Sequence, residues 1–348
     1  MFTKIALNNF TAFHSLEMSF SSGINVFIGE NGTGKTHILK VLYSSADITN
    51  SRNQNWAQKM VRVFLPTDER IGRLVKRKVG TGSGTVEVFR LAKGKEISIK
   101  QSLSTRKSSA EKVDKPKYLQ NWLDIPLTSV FIPVKEMLAN APGFKSLYES
   151  KMIHFEEVYA DIISKALMPP PLGPADGFRR KIGNILKNAI DGRVSVQNEQ
   201  FYLSNKDGNL EFPLLAEGFR KLGLLWTLVQ NGVLTGGSVL FWDEPEANLN
   251  PKLTATLIEV LLELQRSGVQ IFLSTHNELV AKWIDLLSKP EDKKQIKYHV
   301  LYRDAADNGE IKSNSFDRYD DVSPNPLEEA YINVINKEID EKVGGLGK

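Results

Sequence analysis

Gly29-Glu30-Asn31-Gly32-Thr33-Gly34-Lys35-Thr36 spells G-x-x-x-x-G-K-[ST], and its flanks decide how it is read. Ile24-Asn25-Val26-Phe27-Ile28 ahead of it is an apolar run of strand length, and His37-Ile38-Leu39-Lys40-Val41-Leu42 behind it opens a helix. A glycine-rich turn in that setting lets successive backbone N–H groups face phosphate oxygens, with the positive end of a helix dipole behind them. Gly29, Asn31, Gly32, Thr33, Gly34, Lys35 and Thr36 are therefore the predicted nucleotide-contacting set. Lys35 is placed to reach the β- and γ-phosphates, and the Thr36 hydroxyl to ligate Mg²⁺.

Working outward, such a loop needs a carboxylate for its metal and a group to activate water. Val239-Leu240-Phe241-Trp242-Asp243-Glu244-Pro245 offers both at the end of an apolar strand. Asp243 is the predicted metal ligand, directly or through water, and Glu244 the predicted general base. Val269-Gln270-Ile271-Phe272-Leu273 is another buried strand, with Ser274-Thr275-His276-Asn277 at its end. Ligands of parallel α/β sheets gather at the carboxyl ends of strands, which places His276 near a γ-phosphate. His14, His37, His154 and His299 show no metal-ligand spacing and receive no role.

The 348 residues suffice for one elaborated domain, at 41% hydrophobic and 25% charged content. There is no cysteine, which removes disulfides and thiolate metal sites and fits a reducing cytoplasm. The start, Met1 to Phe10, lacks the apolar core of a secretion signal, and no run is long and apolar enough to cross a bilayer. A cytoplasmic protein is expected.

Charge is uneven. Arg62 to Lys117 holds fifteen Lys/Arg against six Asp/Glu, while the whole chain is only +4. Arg73, Lys76, Arg77 and Lys78 form one cluster, and Arg106, Lys107, Lys112, Lys115 and Lys117 another. Such a surface suits nucleic-acid phosphates; an ordinary solvated face is the alternative.

Ile5–Leu7 and Leu16–Phe20 predict a hairpin leading into the loop. Period-two runs at Thr85–Arg90 and Glu96–Lys100 predict an antiparallel flap, and Gln101 to Lys117 a mobile loop. Phe155, Val158, Tyr159, Ile162, Ile163 and Ala166 share one helical stripe; Phe178, Ile182, Ile185, Leu186 and Ala189 share another. The expected organisation is 1–141 with the phosphate loop and basic flap, 142–192 as a helical insertion, and 193–348 with the remaining motifs.

The order GENGTGKT, FWDEPEANLNP, FLSTHN resembles the ABC-type ATPase superfamily, on the branch containing RecF, SMC and OLD-type proteins. That resemblance implies a P-loop NTPase with a mixed sheet, an N-terminal antiparallel β subdomain and a helical insertion. It also implies ATP and Mg²⁺ as cofactors and an ATPase activity. Glu246 to Pro251 occupies the D-loop position, which brings in Asn250. Leu215 to Lys221 stands where the signature motif belongs, with Ala216 and Glu217 departing from its Ser-Gly core. Gly218, the helix N-terminus, and Arg220 or Lys221 are left to contact ATP held by a second chain, so a homodimer sandwiching two ATP molecules is implied. Lys135 and Glu136 are the candidates for the glutamine loop; Phe10 and Phe13 read first as core, with flanking a nucleobase as the alternative.

No coiled coil separates the halves, and Asp317, Asp320 and Asp321 lack a nuclease pattern, reading instead as a turn before a helix from Pro326 to Lys342. Compact ATPases of this kind resemble the ATPase subunits of anti-phage systems such as Septu and PARIS, which implies a separate nuclease or toxin as effector. The alternatives are a RecF-like DNA repair ATPase, using the Arg62–Lys117 region, and a nucleotide-gated scaffold.

Overall fold

The computed structural model describes residues 1–51, 54–106 and 109–344. The first part of the chain runs β1 (Phe2–Phe10), β2 (Phe13–Ser19), β3 (Ile24–Gly29), α1 (Lys35–Asp47), α2 (Trp56–Phe64), β4 (Ser83–Ala92) and β5 (Lys95–Ser104). The middle comprises α3 (Leu119–Leu123), β6 (Ser129–Ile132), α4 (Phe144–Glu149), α5 (Glu157–Ala166), α6 (Gly177–Ala189), β7 (Arg193–Gln197), β8 (Gln200–Asn205) and β9 (Gly208–Glu211). Then come α7 (Glu217–Gln230), β10 (Val239–Asp243), α8 (Pro251–Arg266), β11 (Gln270–Thr275), α9 (Glu278–Leu287), α10 (Pro290–Lys293), β12 (Ile296–Asp304), β13 (Glu310–Phe316) and α11 (Pro326–Gly344).

A six-stranded sheet ordered β13-β12-β3-β11-β10-β6 forms the centre, parallel except at its β13 edge. β3, β10 and β11 are buried at every position, as strands covered on both faces must be. Their side chains alternate between two cores. Val26, Leu240, Trp242, Ile271 and Leu273 pack on the side of α5 to α9. Phe27, Phe241 and Phe272 face α1, α2 and the N-terminal sheet.

That second sheet is antiparallel, ordered β2-β1-β4-β5. β4 and β5 form the predicted antiparallel flap, and β4 also pairs along β1, so that the flap extends the N-terminal hairpin. The predicted loop after Lys100 is corrected. β5 continues to Ser104, and Lys100 and Lys117 exchange backbone hydrogen bonds of 3.3 and 2.8 Å, because unpaired backbone groups at this edge find partners in the returning chain. Lys107 lies outside the described residues.

The two predicted helical stripes form α5 and α6. α5 is bound to α1 by polar side chains: Lys40 to Glu156 at 2.6 Å, the Tyr43 hydroxyl to Asp161 at 2.6 Å, and Lys165 to Asp47 at 2.8 Å. Buried Lys59 of α2 joins them, with Asp47 and Asp161 each at 2.7 Å and Glu157 at 3.2 Å.

The basic region is less open than its composition suggests. Arg90 is buried, donating to the Trp122 and Ile125 carbonyls at 2.6 Å each. Arg62, Lys76 and Lys100 pair with Glu157, Glu310 and Glu87. Arg73, Arg77 and Lys78 remain exposed on the segment that bridges to the end of β1.

Candidate functional site

Strand register builds the site. Phe27 of β3 lies level with Ser274 of β11, and Ser274 lies level with Asp243 of β10. Three adjacent parallel strands thus end at one height, and the loops leaving them meet.

The first is the phosphate loop. Gly34 caps α1 at φ 92°, a left-handed conformation, and a Cβ there would stand 2.5 Å from Phe13 Cζ. No side chain fits, so glycine is required on two counts. Phe10 and Phe13 are fully buried beneath this end of the chain, the core role that was the first of their two readings, and neither flanks a base. Their aromatic surface belongs to the core. Thr33 is buried, its hydroxyl donating to the Glu30 carbonyl at 2.8 Å, which leaves only its backbone N–H for a ligand. Asn31 and Gly32 are exposed at the loop tip.

Lys35 is buried, with Nζ donating to the Gly29 and Glu30 carbonyls at 2.6 and 2.9 Å. Burial pushes its pKa down to about 8, against the opposing pull of Glu244 and Asp243. The Thr36 hydroxyl lies 3.1 and 3.0 Å from the two Asp243 carboxylate oxygens. Ser274 donates a further hydrogen bond to Asp243. A hydroxyl beside a carboxylate is a hard oxygen set, and it fits Mg²⁺, which keeps waters and uses few protein ligands.

Glu244 follows Asp243 with φ 47°, an uncommon conformation for a residue with a side chain. Its N–H donates to the Ser274 carbonyl at 3.0 Å. The turn sends its carboxylate toward His276, whose Nε2 lies 3.3 Å from Glu244 Oε1. Burial and then the Lys35 charge hold the His276 imidazole below its usual range, while Glu244 pulls the other way. The sequence reasoning did not single out Ser274 or Glu246. Glu246 accepts from the Thr275 hydroxyl at 2.6 Å and from the His276 N–H at 3.1 Å. Its sequence signals were its place two residues after Glu244 and at the head of the D-loop segment, neither of which points to the histidine loop.

The signature-side residues lie elsewhere. Gly218 is buried against Asn248 and Leu249. Asn250 caps α8, accepting the Lys252 N–H at 3.0 Å. Arg220 and Lys221, offered as contacts to ATP held by a second chain, are engaged within this chain. Arg220 forms an ion pair at 2.9 Å with the fully buried Glu136 carboxylate, and Lys221 is buried and donates to the Ala247 carbonyl at 2.5 Å. Lys221 satisfies a buried carbonyl, whereas Arg220 offsets the Glu136 charge, Arg220 Nε and Glu136 Oε2 both lacking a hydrogen-bond partner. Glu136 is thus tied to α7, while Lys135 is exposed.

Beside the phosphate loop lies a cavity of about 640 Å³, lined by Gly32, His37, Phe64, Arg73, Arg77 and Arg303 among others. The His37 and Phe64 rings stand 5.6 Å apart there. No cluster of three or more His, Asp or Glu residues is arranged to hold a metal ion among the described residues. No helix among them is long and apolar enough to cross a membrane.

Comparison with known proteins agrees with this geometry. Residues 95–281 match the family described as "AAA domain, putative AbiEii toxin, Type IV TA system", and residues 1–164 match "AAA ATPase domain". The DNA replication and repair protein RecF of Limosilactobacillus fermentum is 32% identical over 95 residues, covering 25% of this chain and 26% of that protein. RecF of Streptococcus gordonii is 30% identical over 105 residues, covering 30% and 28%. The matched stretch thus spans about a quarter of the length of these curated relatives. Among solved structures, an SMC head bound to the C-winged helix domain of ScpA aligns with TM-score 0.57 at 14% identity, over 90% of this chain and 97% of that one. The SMC head domain from Thermotoga maritima aligns with TM-score 0.51 at 15% identity, over 90% and 98%. At these identities the likeness is one of fold.

Proposed function

This chain belongs to the AAA-domain ATPase family, on the RecF- and SMC-like branch of the ABC-type ATPases, and we propose that it hydrolyses ATP as a molecular switch. The observation that supports this best is the meeting of Lys35, Thr36, Asp243, Glu244 and His276 at the ends of three neighbouring strands. In this reading the backbone of Gly29 to Gly34 cradles the phosphates. Lys35 exchanges its two loop carbonyls for β- and γ-phosphate oxygens. Thr36 and Asp243 hold Mg²⁺, which when bound would offset phosphate charge. Glu244 takes the proton of the water that attacks the γ-phosphorus, and His276 holds a γ-phosphate oxygen. The base and ribose lie in the cavity beside Gly32, between His37, Phe64 and Arg303.

The same reading divides the chain at 1–141, 142–192 and 193–348, the middle part being a helical insertion attached to α1 through the Lys59 cluster. Two chains close around two ATP molecules, with Gly218 and Asn250 approaching the partner's nucleotide by backbone and end amide. Closure then controls a separate effector, a nuclease or toxin of an anti-phage system. The name of the matched family, which includes a toxin–antitoxin term, supports that direction.

A RecF-like DNA-dependent ATPase is the second reading. Arg73, Arg77 and Lys78, exposed beside the nucleotide cavity, favour it, together with the RecF relatives. It predicts DNA affinity that falls steeply with salt.

The test is ATP turnover by the wild type, Lys35→Ala and Glu244→Gln. Lys35→Ala is expected to lose nucleotide binding. Glu244→Gln is expected to lose turnover by about 100-fold or more while retaining ATP and accumulating as a dimer. A wild type that binds no nucleotide, or a Glu244→Gln variant with unchanged turnover, would sink the reading.

A further inference from the structure

Glu246 is the residue that braces the histidine loop. After the left-handed bend at Glu244 the chain crosses from the tip of β10 to the tip of β11. There a single carboxylate oxygen accepts two donors from neighbouring residues, the Thr275 hydroxyl at 2.6 Å and the His276 N–H at 3.1 Å. The other oxygen is buried and without a hydrogen-bond partner. The following residues are fixed on the opposite side. Lys221 donates to the Ala247 carbonyl at 2.5 Å, and the Asn248 amide donates to Glu217 at 3.0 Å. Glu246 is thus held from behind by α7 and grips the segment that carries His276.

We propose that Glu246 is a positioning residue that sets the His276 imidazole against Glu244. The inference rests on the ATPase reading above. Fixing the hydroxyl of residue 275 and the N–H of residue 276 at one acceptor fixes the backbone from which the ring projects. The ring itself is half-exposed, 3.3 Å from Glu244. A charge-assisted pair of bonds is strong enough to choose one loop conformation, and a displacement of about 1 Å at a reacting group can cost about 100-fold in rate.

The test compares Glu246→Ala, Glu246→Gln, His276→Ala and the Glu246→Ala/His276→Ala double variant. Glu246→Ala is expected to lower kcat by about 10- to 100-fold with KM for ATP within about threefold of wild type. Glu246→Gln keeps the acceptor oxygen and is expected to recover to within about threefold of wild type. The double variant is expected to be no slower than His276→Ala alone, because the two residues act as one unit. Additive losses, an effect on KM alone, or an unchanged kcat in Glu246→Ala would overturn the proposal. A second readout needs no turnover: the His276 ring resonances of labelled, nucleotide-free protein should shift in Glu246→Ala and stay near wild type in Glu246→Gln. An unmoved signal in Glu246→Ala would overturn the positioning role, whereas an inactive wild type would count only against the ATPase reading.

Discussion

Lys35 opens α1, and Lys59 of α2 meets Asp47 at the far end of that helix; both are buried lysines, and their surroundings are opposite. Lys59 has carboxylates of three residues within 3.2 Å, and their charges hold its pKa above the usual range despite burial. Lys35 is bonded only to two carbonyls of its own loop, and burial brings its pKa down to about 8. The far end of the helix carries its own counter-ions; the phosphate end leaves its cation for a ligand to neutralise. A buried charge kept without a direct counter-ion marks a site built for an anion, and a buried charge with three marks a joint.

Replacing each lysine by methionine should separate the two sharply. Lys59→Met strands Asp47, Asp161 and Glu157 and should cost about 3–5 kcal/mol in urea unfolding. Lys35→Met removes a desolvated cation and should leave stability within about 1 kcal/mol of wild type while nucleotide binding is lost. Equal losses of stability in the two variants would break the distinction.

A smaller effect sharpens it. Burial alone would raise the pKa of Asp47, but Lys165 and Lys59 outweigh burial and hold it below the usual carboxylate range. A depressed folded-state pKa gives stability that is fully present above the unfolded value, near 4, and lost as pH falls through the folded value. Asp47→Asn should therefore be less stable than wild type by about 2 kcal/mol at pH 7. The gap should hold down to about pH 5 and narrow below about pH 4. A gap that widens in acid would contradict the assigned partners.

The same contrast explains what could be read from the sequence. The strand tips at Gly29, Asp243 and Thr275 were legible because a parallel sheet covered on both faces writes its strands as unbroken apolar runs, and the polar residues that interrupt them mark the end. Residues whose partners are distant in sequence were not legible. Arg220 and Lys221 read as contacts to a second chain's ATP from the signature position, and only folding shows their partners here, Glu136 and the Ala247 carbonyl. Phe10 and Phe13 read as core with a base-flanking alternative, and their complete burial, Phe13 against Gly34, decides for the core. Glu246 looked like one more acidic residue after Glu244; its bonds to Thr275 and His276 span about thirty positions.

Asn250 carries the comparison to the D-loop at the smallest scale. Its side chain accepts the Lys252 N–H at the start of α8, with Pro251 in the first helical position, a combination that stabilises a helix start whether or not nucleotide is present. Asn250→Ala should lower the stability of the nucleotide-free protein by about 1 kcal/mol, and Asn250→Ser, which still offers an oxygen, should lose less than half of that. If instead the side chain belonged with Lys35, reserved for ligand, both variants would unfold like wild type and differ only in ATP turnover. Urea melts without nucleotide, set beside turnover measured on the same samples, decide which rule governs this residue.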